Sequence, residues 1–273
     1  MFYGDRVAMP SIKFLSRFTL FCILLLLFAC TEEPSDSAEK PELLVYCGIT
    51  MVKPMTEIAR IIEKKHDVSV ALSQGGSEDL YESLKMSRKG DLYLPGSSSY
   101  RELHLQDGLL GEYVHIGFNQ AALMVNKSNP KKITGLSDIF RNDINFVICS
   151  PDSGSIGRET QRILTDQGIY EKALEKSIYL TSDSRNLNGA LRKGDADLII
   201  NWRATAFFPE NKAYMDVIDL DTKMAKPKKL LLNLLTFSQY PDIARDFMNV
   251  ASSPEGQAIF RKYGFLDSAG QSE

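Results

Sequence analysis

The sequence predicts an α/β protein of two lobes, each a mainly parallel sheet flanked by helices. Short apolar stretches alternate with segments whose apolar residues recur at helical spacing, and loops containing Gly and Ser join them. The series begins at residue 43 and starts afresh at residue 146, and extended segments at 115–125 and 215–220 flank the second series. Alternating strands and helices indicate parallel sheets covered by helices. Two extended crossings between two such units predict a cleft between the lobes.

The first 29 residues have the pattern of a secretory signal peptide. Lys13 and Arg17 precede an uncharged apolar run at 18–29, which is shorter than the roughly 20 residues that span a bilayer. The run ends in Leu-Phe-Ala before Cys30, which resembles a bacterial lipobox, so cleavage would make Cys30 the lipidated first residue. An uncleaved signal anchor is the alternative. Residues 30–42 then predict a flexible, acidic tether between lipid and protein.

Lobe I is predicted to begin with three strand–helix units. Their strands and helices are expected at 43–47 with 52–65, at 67–72 with 78–86, and at 91–94 with 100–107. The chain returns to this lobe near its end. A strand is expected at 229–235, followed by two helices within 241–263 that are broken at 252–254.

Lobe II is predicted from the second series. Its strands are expected at 146–149, 178–180 and 196–201, and its helices at 158–167 and 186–192. The crossings then divide the chain into lobe I at 43–121 and 222–267, lobe II at 122–221, and a tail at 268–273. In open sheets of this kind, ligands bind beyond the carboxyl ends of the strands. The loops after these strands are therefore expected to line the cleft.

Composition excludes several classes of protein. The chain has 273 residues, 44% of them hydrophobic, which suffices for ordinary cores and excludes a disordered or fibrous chain. A formal net charge of −3 argues against a nucleic-acid partner. Four Cys and three His show no metal-ligand spacing, so no metal or other cofactor is expected. No nucleophile is paired with a base in the cleft loops, which argues against an enzyme.

Four motifs resemble the bacterial periplasmic solute-binding proteins of the type II fold, nearest to the molybdate-binding component of ABC transporters. Residues 45–59 resemble the family's opening strand, small-residue loop and helix, and Gly75-Gly76-Ser77 resembles its second loop. Residues 90–96 resemble a further family strand, and 253–265 resemble its closing segment. The resemblance covers 43–266 and implies that fold, with capture of a small oxyanion such as molybdate or tungstate.

The resemblance also implies which residues bind the solute. In the family, five positions offer hydroxyl or backbone N–H groups to a tetrahedral oxyanion. The corresponding positions here are Thr50, Ser77, the Ser155-Ile156 step, Leu187 and Trp202. Trp202 stands where molybdate binders usually have Tyr. Arg203 follows it and is the best candidate among the cleft arginines for binding a carboxylate or phosphate, with a solvated rim charge as the alternative.

The residues themselves leave two readings of these loops open. A helix start exposes N–H groups and about half a positive charge, which can hold an anion. Equally, Thr50, Ser77 and Ser155 could be helix N-caps, each worth about 1 kcal/mol. Glu78 and Asp79 fall in the first turn of a helix and are expected only to complement its dipole. The site is therefore expected to offer donors only and to prefer deprotonated oxyanions to hydrogen phosphate, whose proton needs an acceptor.

Cys47 and Cys149 each end the first strand of a lobe. A disulfide between them would lock lobes that must move to admit a solute, so both are expected to be buried free thiols.

The expected function is that of a monomeric, lipid-anchored protein on the periplasmic side of the cell envelope. It would capture a small anionic solute and present it to an ABC permease. Binding of phosphate or another small anion, and a sensory receptor role on the same fold, are the alternatives.

Overall fold

The computed structural model describes residues 40–267, together with Met1 and Gly4. The expected signal peptide at 1–29, Cys30, most of the tether and the tail at 268–273 lie outside the described residues. Residues 40–267 belong to one compact unit. Within this part of the chain, no helix is both long enough and apolar enough to cross a membrane.

The first sheet has five strands. They are β1 Glu42–Gly48, β2 Ser69–Gly75, β3 Leu92–Leu94, β4 Leu110–Asn119 and β10 Lys228–Leu235, in the spatial order β2-β1-β3-β10-β4. The helices on this sheet are α1 Val52–His66, α2 Ser77–Ser87, α3 Ser99–His104, α8 Pro241–Ser252 and α9 Pro254–Lys262. We call this sheet and its helices lobe I.

The second sheet also has five strands. They are β5 Ala121–Asn126, β6 Phe146–Cys149, β7 Leu180–Thr181, β8 Leu198–Trp202 and β9 Met215–Asp219, in the spatial order β7-β6-β8-β5-β9. Its helices are α4 Ser155–Asp166, α5 Tyr170–Lys176, α6 Ser184–Lys193 and α7 Pro209–Lys212. We call this sheet and its helices lobe II. Short 3-10 turns lie at Ile49–Met51, Leu105–Asp107, Leu136–Phe140 and Arg203–Phe207.

Helix α1 shows how the sequence produces these elements. Its buried face consists of residues at helical spacing, including Met55, Ile58, Ala59 and Ile62. The helix ends where Asp67 adopts a left-handed backbone with φ of 52°, a common helix stop. The buried face packs into the core of lobe I beside β1, so burial rather than propensity holds the helix in place.

The predicted α/β class with two sheets is confirmed, but each sheet is mixed rather than mainly parallel. In lobe I, β1 pairs in parallel with β2 and β3, whereas β10 pairs antiparallel with β3 and β4. In lobe II, β6 pairs in parallel with β7 and β8, whereas β5 pairs antiparallel with β8 and β9. The antiparallel pairs arise because one strand in each sheet runs against all of its neighbours. This strand is β10 in lobe I and β5 in lobe II, and each is the first strand that the chain forms after it enters that lobe from the other.

The two lobes are joined by very short connections. Only Gln120 separates β4 of the first sheet from β5 of the second. The 203–207 turn forms a further junction, because it follows Trp202 of the lobe II core, whereas Ala204 and Phe208 pack in the core of lobe I. The predicted extended crossing at 115–125 therefore runs from one sheet to the other, as the end of β4 and most of β5.

Sequence patterns missed two short helices and placed two helix starts too late. Helix α5 has seven residues and α7 has four, so neither is long enough to repeat the helical period of apolar residues. Helix α4 begins at Ser155 rather than 158, and α6 begins at Ser184 rather than 186. The earlier starts bring backbone N–H groups of the first turns into the cleft.

Asp91 connects three segments of lobe I. Its Oδ2 accepts the N–H of Leu44 at 2.9 Å, and its Oδ1 accepts the hydroxyl of Ser238 at 2.6 Å and the N–H of Tyr240 at 3.4 Å. The residue is only 3% exposed. A buried carboxylate with these partners ties β1 to the segment that follows β10.

We expect Asp91→Ala to lower the free energy of unfolding by about 3 kcal/mol or more, because it leaves buried donors without their charged acceptor. Urea denaturation measures this change. The control Asp242→Ala, whose side chain is 95% exposed, should stay within about 1 kcal/mol of the unmodified protein. An equal loss of unfolding free energy in both variants would show that the hydrogen bonds of Asp91 do not stabilise lobe I.

Candidate functional site

Loops from both lobes enclose a small cavity beyond the carboxyl ends of β1, β2 and β6. Its volume is about 10 Å³, which is room for one water-sized molecule. The lining residues are Gly48, Ile49, Thr50, Gly75, Gly76 and Ser77 of lobe I, with Gly154, Ser155, Ile156, Asp183 and Ser184 of lobe II. Four of the predicted site residues therefore lie together, namely Thr50, Ser77, Ser155 and Ile156.

Helix α2 directs an uncapped N-terminus at this cavity. Gly76 is the N-cap, with φ −64° and ψ 149°, and no side chain bonds to the N–H groups of the first turn. The N–H of Ser77 has no partner among residues 40–267, and the N–H of Glu78 donates to the carbonyl of Ser153 in lobe II at 3.2 Å. The partial positive charge of the helix start is therefore not neutralised by a cap.

Helix α4 repeats this arrangement from lobe II. Gly154 is its N-cap, again without a side-chain cap bond. Within the described chain, the N–H groups of Ser155 and Ile156 have no hydrogen-bond partner. Ser77 and Ser155 each occupy the first helical position rather than the N-cap, so capping is not their role. Two uncapped helix starts from opposite lobes thus border one cavity.

Thr50 adds a hydroxyl from the turn between β1 and α1. It is 3% exposed, and the caps of the neighbouring helical segments are Gly48 and Met51 rather than Thr50. Its hydroxyl makes no hydrogen bond to any residue that the structure describes. Thr50 is therefore a donor that the fold itself leaves unused.

The two serine hydroxyls are oriented by buried N–H donors. The N–H of Gly96 donates to Ser77 Oγ at 3.0 Å, and Trp202 Nε1–H donates to Ser155 Oγ at 3.1 Å. Each oxygen accepts one bond and keeps its own proton to donate. Trp202 does not line the cavity, and its indole N–H bonds to Ser155, which does; direct contact between Trp202 and a solute stays a prediction.

Two further predicted residues lie away from the cavity. The N–H of Leu187 donates to the carbonyl of Asp183 at 3.2 Å, and its side chain is fully buried in the lobe II core. Arg203 Nε lies 2.9 Å from Asp219 Oδ1, and its guanidinium covers the ring of Phe207. Arg203 borders a different surface cavity that also includes Arg261. Neither residue is placed to contact a solute in the small cavity.

The lobes contact each other directly around the cavity. Arg158 Nη2 of lobe II lies 2.8 Å from Glu78 Oε2 of lobe I, and the hydroxyl of Ser153 donates to Asp79 Oδ2 at 2.5 Å. Arg185 Nη2 donates to Gln74 Oε1 at 2.8 Å. The acidic residues at the start of α2 therefore do more than complement their own helix dipole. They hold the lobes together.

Two glycines of lobe I permit this approach. A Cβ on Gly96 would lie 2.2 Å from Ser155 Oγ, and a Cβ on Gly76 would lie 2.5 Å from the carbonyl oxygen of Ser153. Both distances are below any real Cβ contact, and both partners belong to lobe II. The backbone angles of Gly76 are open to any residue. Close approach between lobes is the reason for glycine here.

Asp183 brings a carboxylate to the cavity that the sequence did not predict. It is the N-cap of α6, and its Oδ1 accepts the N–H of Asn186 at 2.8 Å. Asp152, by contrast, is exposed and does not line the cavity. The glycine N-caps and Asp183 could have been identified only from the exact starts of α2, α4 and α6.

Two cysteines lie at or next to the ends of the strands that lead into the loops around the cavity. Cys47 and Cys149 are free and buried. Burial raises the pKa of the Cys149 thiol to about 12 and holds the pKa of the Cys47 thiol far above its usual range, so neither is a thiolate at neutral pH. Among the described residues, no group of three His, Cys, Asp or Glu side chains could hold a metal ion.

We expect Gly96→Ala to hold the lobes apart without unfolding them, because the added Cβ meets Ser155 of the other lobe. X-ray scattering in solution should then give a larger radius of gyration than for the unmodified protein. The control Gly189→Ala adds a Cβ with no atom within 4 Å inside helix α6. It should keep the original radius and gain up to about 1 kcal/mol in stability. An unchanged radius in Gly96→Ala would contradict the close approach.

The chain is similar in sequence and in fold to known bacterial proteins. Residues 43–266 match the family model of the bacterial extracellular solute-binding proteins. The molybdate-binding protein ModA of Mycobacterium bovis is 22% identical over 253 residues, which cover 88% of this chain and 92% of that protein.

Solved structures show the same fold. The periplasmic molybdate-binding protein of Azotobacter vinelandii superposes with a TM-score of 0.73 at 15% identity, covering 83% of this chain and 99% of that one. The sulfate-binding protein SubI of Mycobacterium tuberculosis gives a TM-score of 0.71 at 15% identity, covering 82% of this chain and 86% of that one. With the family model matched from residue 43 to residue 266, the chain belongs to the bacterial extracellular solute-binding proteins.

Proposed function

We propose that the protein captures a small oxyanion in the cleft between its lobes and presents it to an ABC permease. The observation that carries the proposal is the pair of uncapped helix starts, α2 and α4, which border one cavity from opposite lobes. Each supplies unpaired N–H groups and about half a positive charge. The hydroxyls of Thr50, Ser77 and Ser155 add three O–H donors. Such a site binds a deprotonated oxyanion without a counter-charged side chain.

The size of the cavity implies that the lobes separate to admit the solute. In the closed arrangement the cavity holds about 10 Å³, less than a five-atom oxyanion occupies. The contacts that close it are a few side-chain bonds between lobes, such as Glu78 with Arg158. This pair is partly exposed, with 33% of the Arg158 side chain and 17% of the Glu78 side chain accessible, and breaking one such pair costs on the order of 1 kcal/mol. Opening and closing around the solute is therefore energetically accessible.

Export and lipid anchoring belong to the same proposal. The apolar run before Cys30 supports cleavage by the lipoprotein route, and the acidic tether supports a protein held at a short distance from the membrane. Membership of an extracellular family is consistent with export. We propose that the anchor keeps the binding unit near its permease on the periplasmic side of the envelope, and that it works as a monomer.

Hydrogen phosphate is the second candidate solute, because Asp183 lines the cavity and could accept its proton. For a dianion such as molybdate or sulfate, the same carboxylate is repulsive, at roughly 4 kcal/mol for unit charges 4 Å apart at an effective dielectric of 20. One oxygen of Asp183 is already engaged with its own helix. The donors at the cavity, which are three hydroxyls and the unpaired N–H groups of Ser77, Ser155 and Ile156, outnumber this one carboxylate. On that ground we favour molybdate, tungstate or sulfate over phosphate.

We expect Thr50→Val to weaken binding of molybdate and sulfate at least tenfold with little effect on folding. The hydroxyl forms no bond within the described chain, so valine removes only the bond to the anion, worth about 1.5–3 kcal/mol. Thr56→Val is the control, since that hydroxyl donates to the carbonyl of Val52 in its own helix. Calorimetric titration of both variants and the unmodified protein gives the affinities.

Ser77→Ala should also weaken binding, but it leaves the N–H of Gly96 without its acceptor and therefore lowers stability as well. Thr50→Val is therefore the cleaner test. Unchanged affinity in Thr50→Val would contradict the proposed site. Tight phosphate binding that is lost in Asp183→Asn would show that phosphate is the solute.

A further inference from the structure

A second, larger chamber adjoins the small cavity. Its volume is about 150 Å³, and both lobes contribute to it. An apolar cavity of that size in another protein accommodates benzene, so the chamber has room for about six heavy atoms. Nothing in the oxyanion site requires a chamber of this size, because a bare oxyanion ends at the helix N-termini.

The chamber is continuous with the small cavity. Ile49, Thr50 and Ser184 line both of them. A single molecule can therefore place one end between the helix starts and extend past Thr50 into the chamber. A solute limited to a tetrahedral oxyanion would leave the chamber to water.

The chamber carries more positive than negative charge. Its charged residues are Lys53, Arg185, Arg192 and Glu210. Lys53 pairs with Glu210 at 3.0 Å. Arg185 and Arg192 instead donate to the neutral side-chain oxygens of Gln74 and Asn211, at 2.8 and 2.5 Å, and neither forms an ion pair with a carboxylate in the described residues. Two guanidinium charges are thus left without a carboxylate partner, although guanidinium is the group best suited to bind one.

Other parts of the chamber wall are apolar or amide in character. Val52 and Phe208 contribute carbon surface, and Asn188 contributes a buried amide. The wall as a whole is more polar than apolar, with a small carbon surface that can contact the organic part of a charged solute.

We propose that the solute is an organic oxyanion with a second anionic group. Its oxyanion head lies between the starts of α2 and α4, and its organic part lies in the chamber with the second group at Arg185 and Arg192. The inference rests on the proposed function and narrows its substrate class. Phosphate monoesters and sulfonates of short carboxylic acids have this chemistry.

Such heads also suit the N–H and O–H donors that border the small cavity. A phosphate monoester loses its last proton near pH 6, so at pH 8 it presents only acceptor oxygens, as a sulfonate does. Inorganic hydrogen phosphate keeps a proton at that pH. A site that rejects inorganic phosphate can therefore still bind a phosphate monoester.

The test is calorimetric titration of the purified protein at pH 8 with sulfate, molybdate, 3-phosphoglycerate and sulfoacetate. We expect at least one organic probe to bind tenfold or more tightly than both inorganic anions. In Arg192→Gln, the ratio of organic to inorganic affinity should fall at least tenfold. Lys193→Gln, the next exposed cation on α6 and not part of the chamber, is the matched control and should leave that ratio unchanged.

The outcomes separate this inference from the proposed function. If sulfate or molybdate binds at least as tightly as both organic probes, or if Arg192→Gln leaves the ratio unchanged, the inference is overturned and the oxyanion site stands. If none of the four anions binds, the proposed function fails, and the inference fails with it.

Discussion

The N-termini of helices α2 and α4 border one cavity from opposite lobes, and the closed structure depends on the polar and charged groups placed around them. Both helices begin at a glycine, so no N-cap side chain bonds to their unpaired N–H groups. Glu78 and Asp79 in the first turn of α2 place negative charge beside that helix start, and they bind Arg158 and Ser153 of the other lobe. An anion between the helix starts would accept hydrogen bonds from the N–H groups that remain unpaired. In this account, solute binding and lobe closure are consequences of the same electrostatic interaction.

Much of the fold could be predicted because each lobe repeats strand–helix units whose apolar residues show a clear period. Strand β1 and helix α1 lie within a residue or two of their expected bounds. Whether neighbouring strands pair in parallel or antiparallel could not be predicted, because the apolar residues of strands such as β5 and β10 do not indicate the direction in which a strand runs. Short helices such as α7 lack a period and are defined by tertiary contacts.

The sequence predicted those cavity-lining residues that lie in or next to recognisable loop motifs. It missed those whose position depends on the exact residue at which a helix begins. Thr50, Ser77, Ser155 and Ile156 line one cavity, and their binding of a solute stays a prediction. Leu187 does not line that cavity, because α6 begins two residues earlier than expected and its first-turn N–H groups belong to other residues. A single sequence does not show which glycines allow the lobes to approach each other. Their role is visible only from the distance to the opposite lobe, as with Gly96 and Ser155.

Trp202 fluorescence reports directly on whether an anion binds between the two helix starts. Trp202 is the only tryptophan in the chain, and its indole N–H bonds to Ser155 at the start of α4, beside Gly96 of the other lobe. If an oxyanion binds between the two helix starts, titration with molybdate, sulfate or 3-phosphoglycerate should give a saturable change in Trp202 fluorescence, with the same midpoint as calorimetry. Tight binding by calorimetry without any change in Trp202 emission would contradict the account.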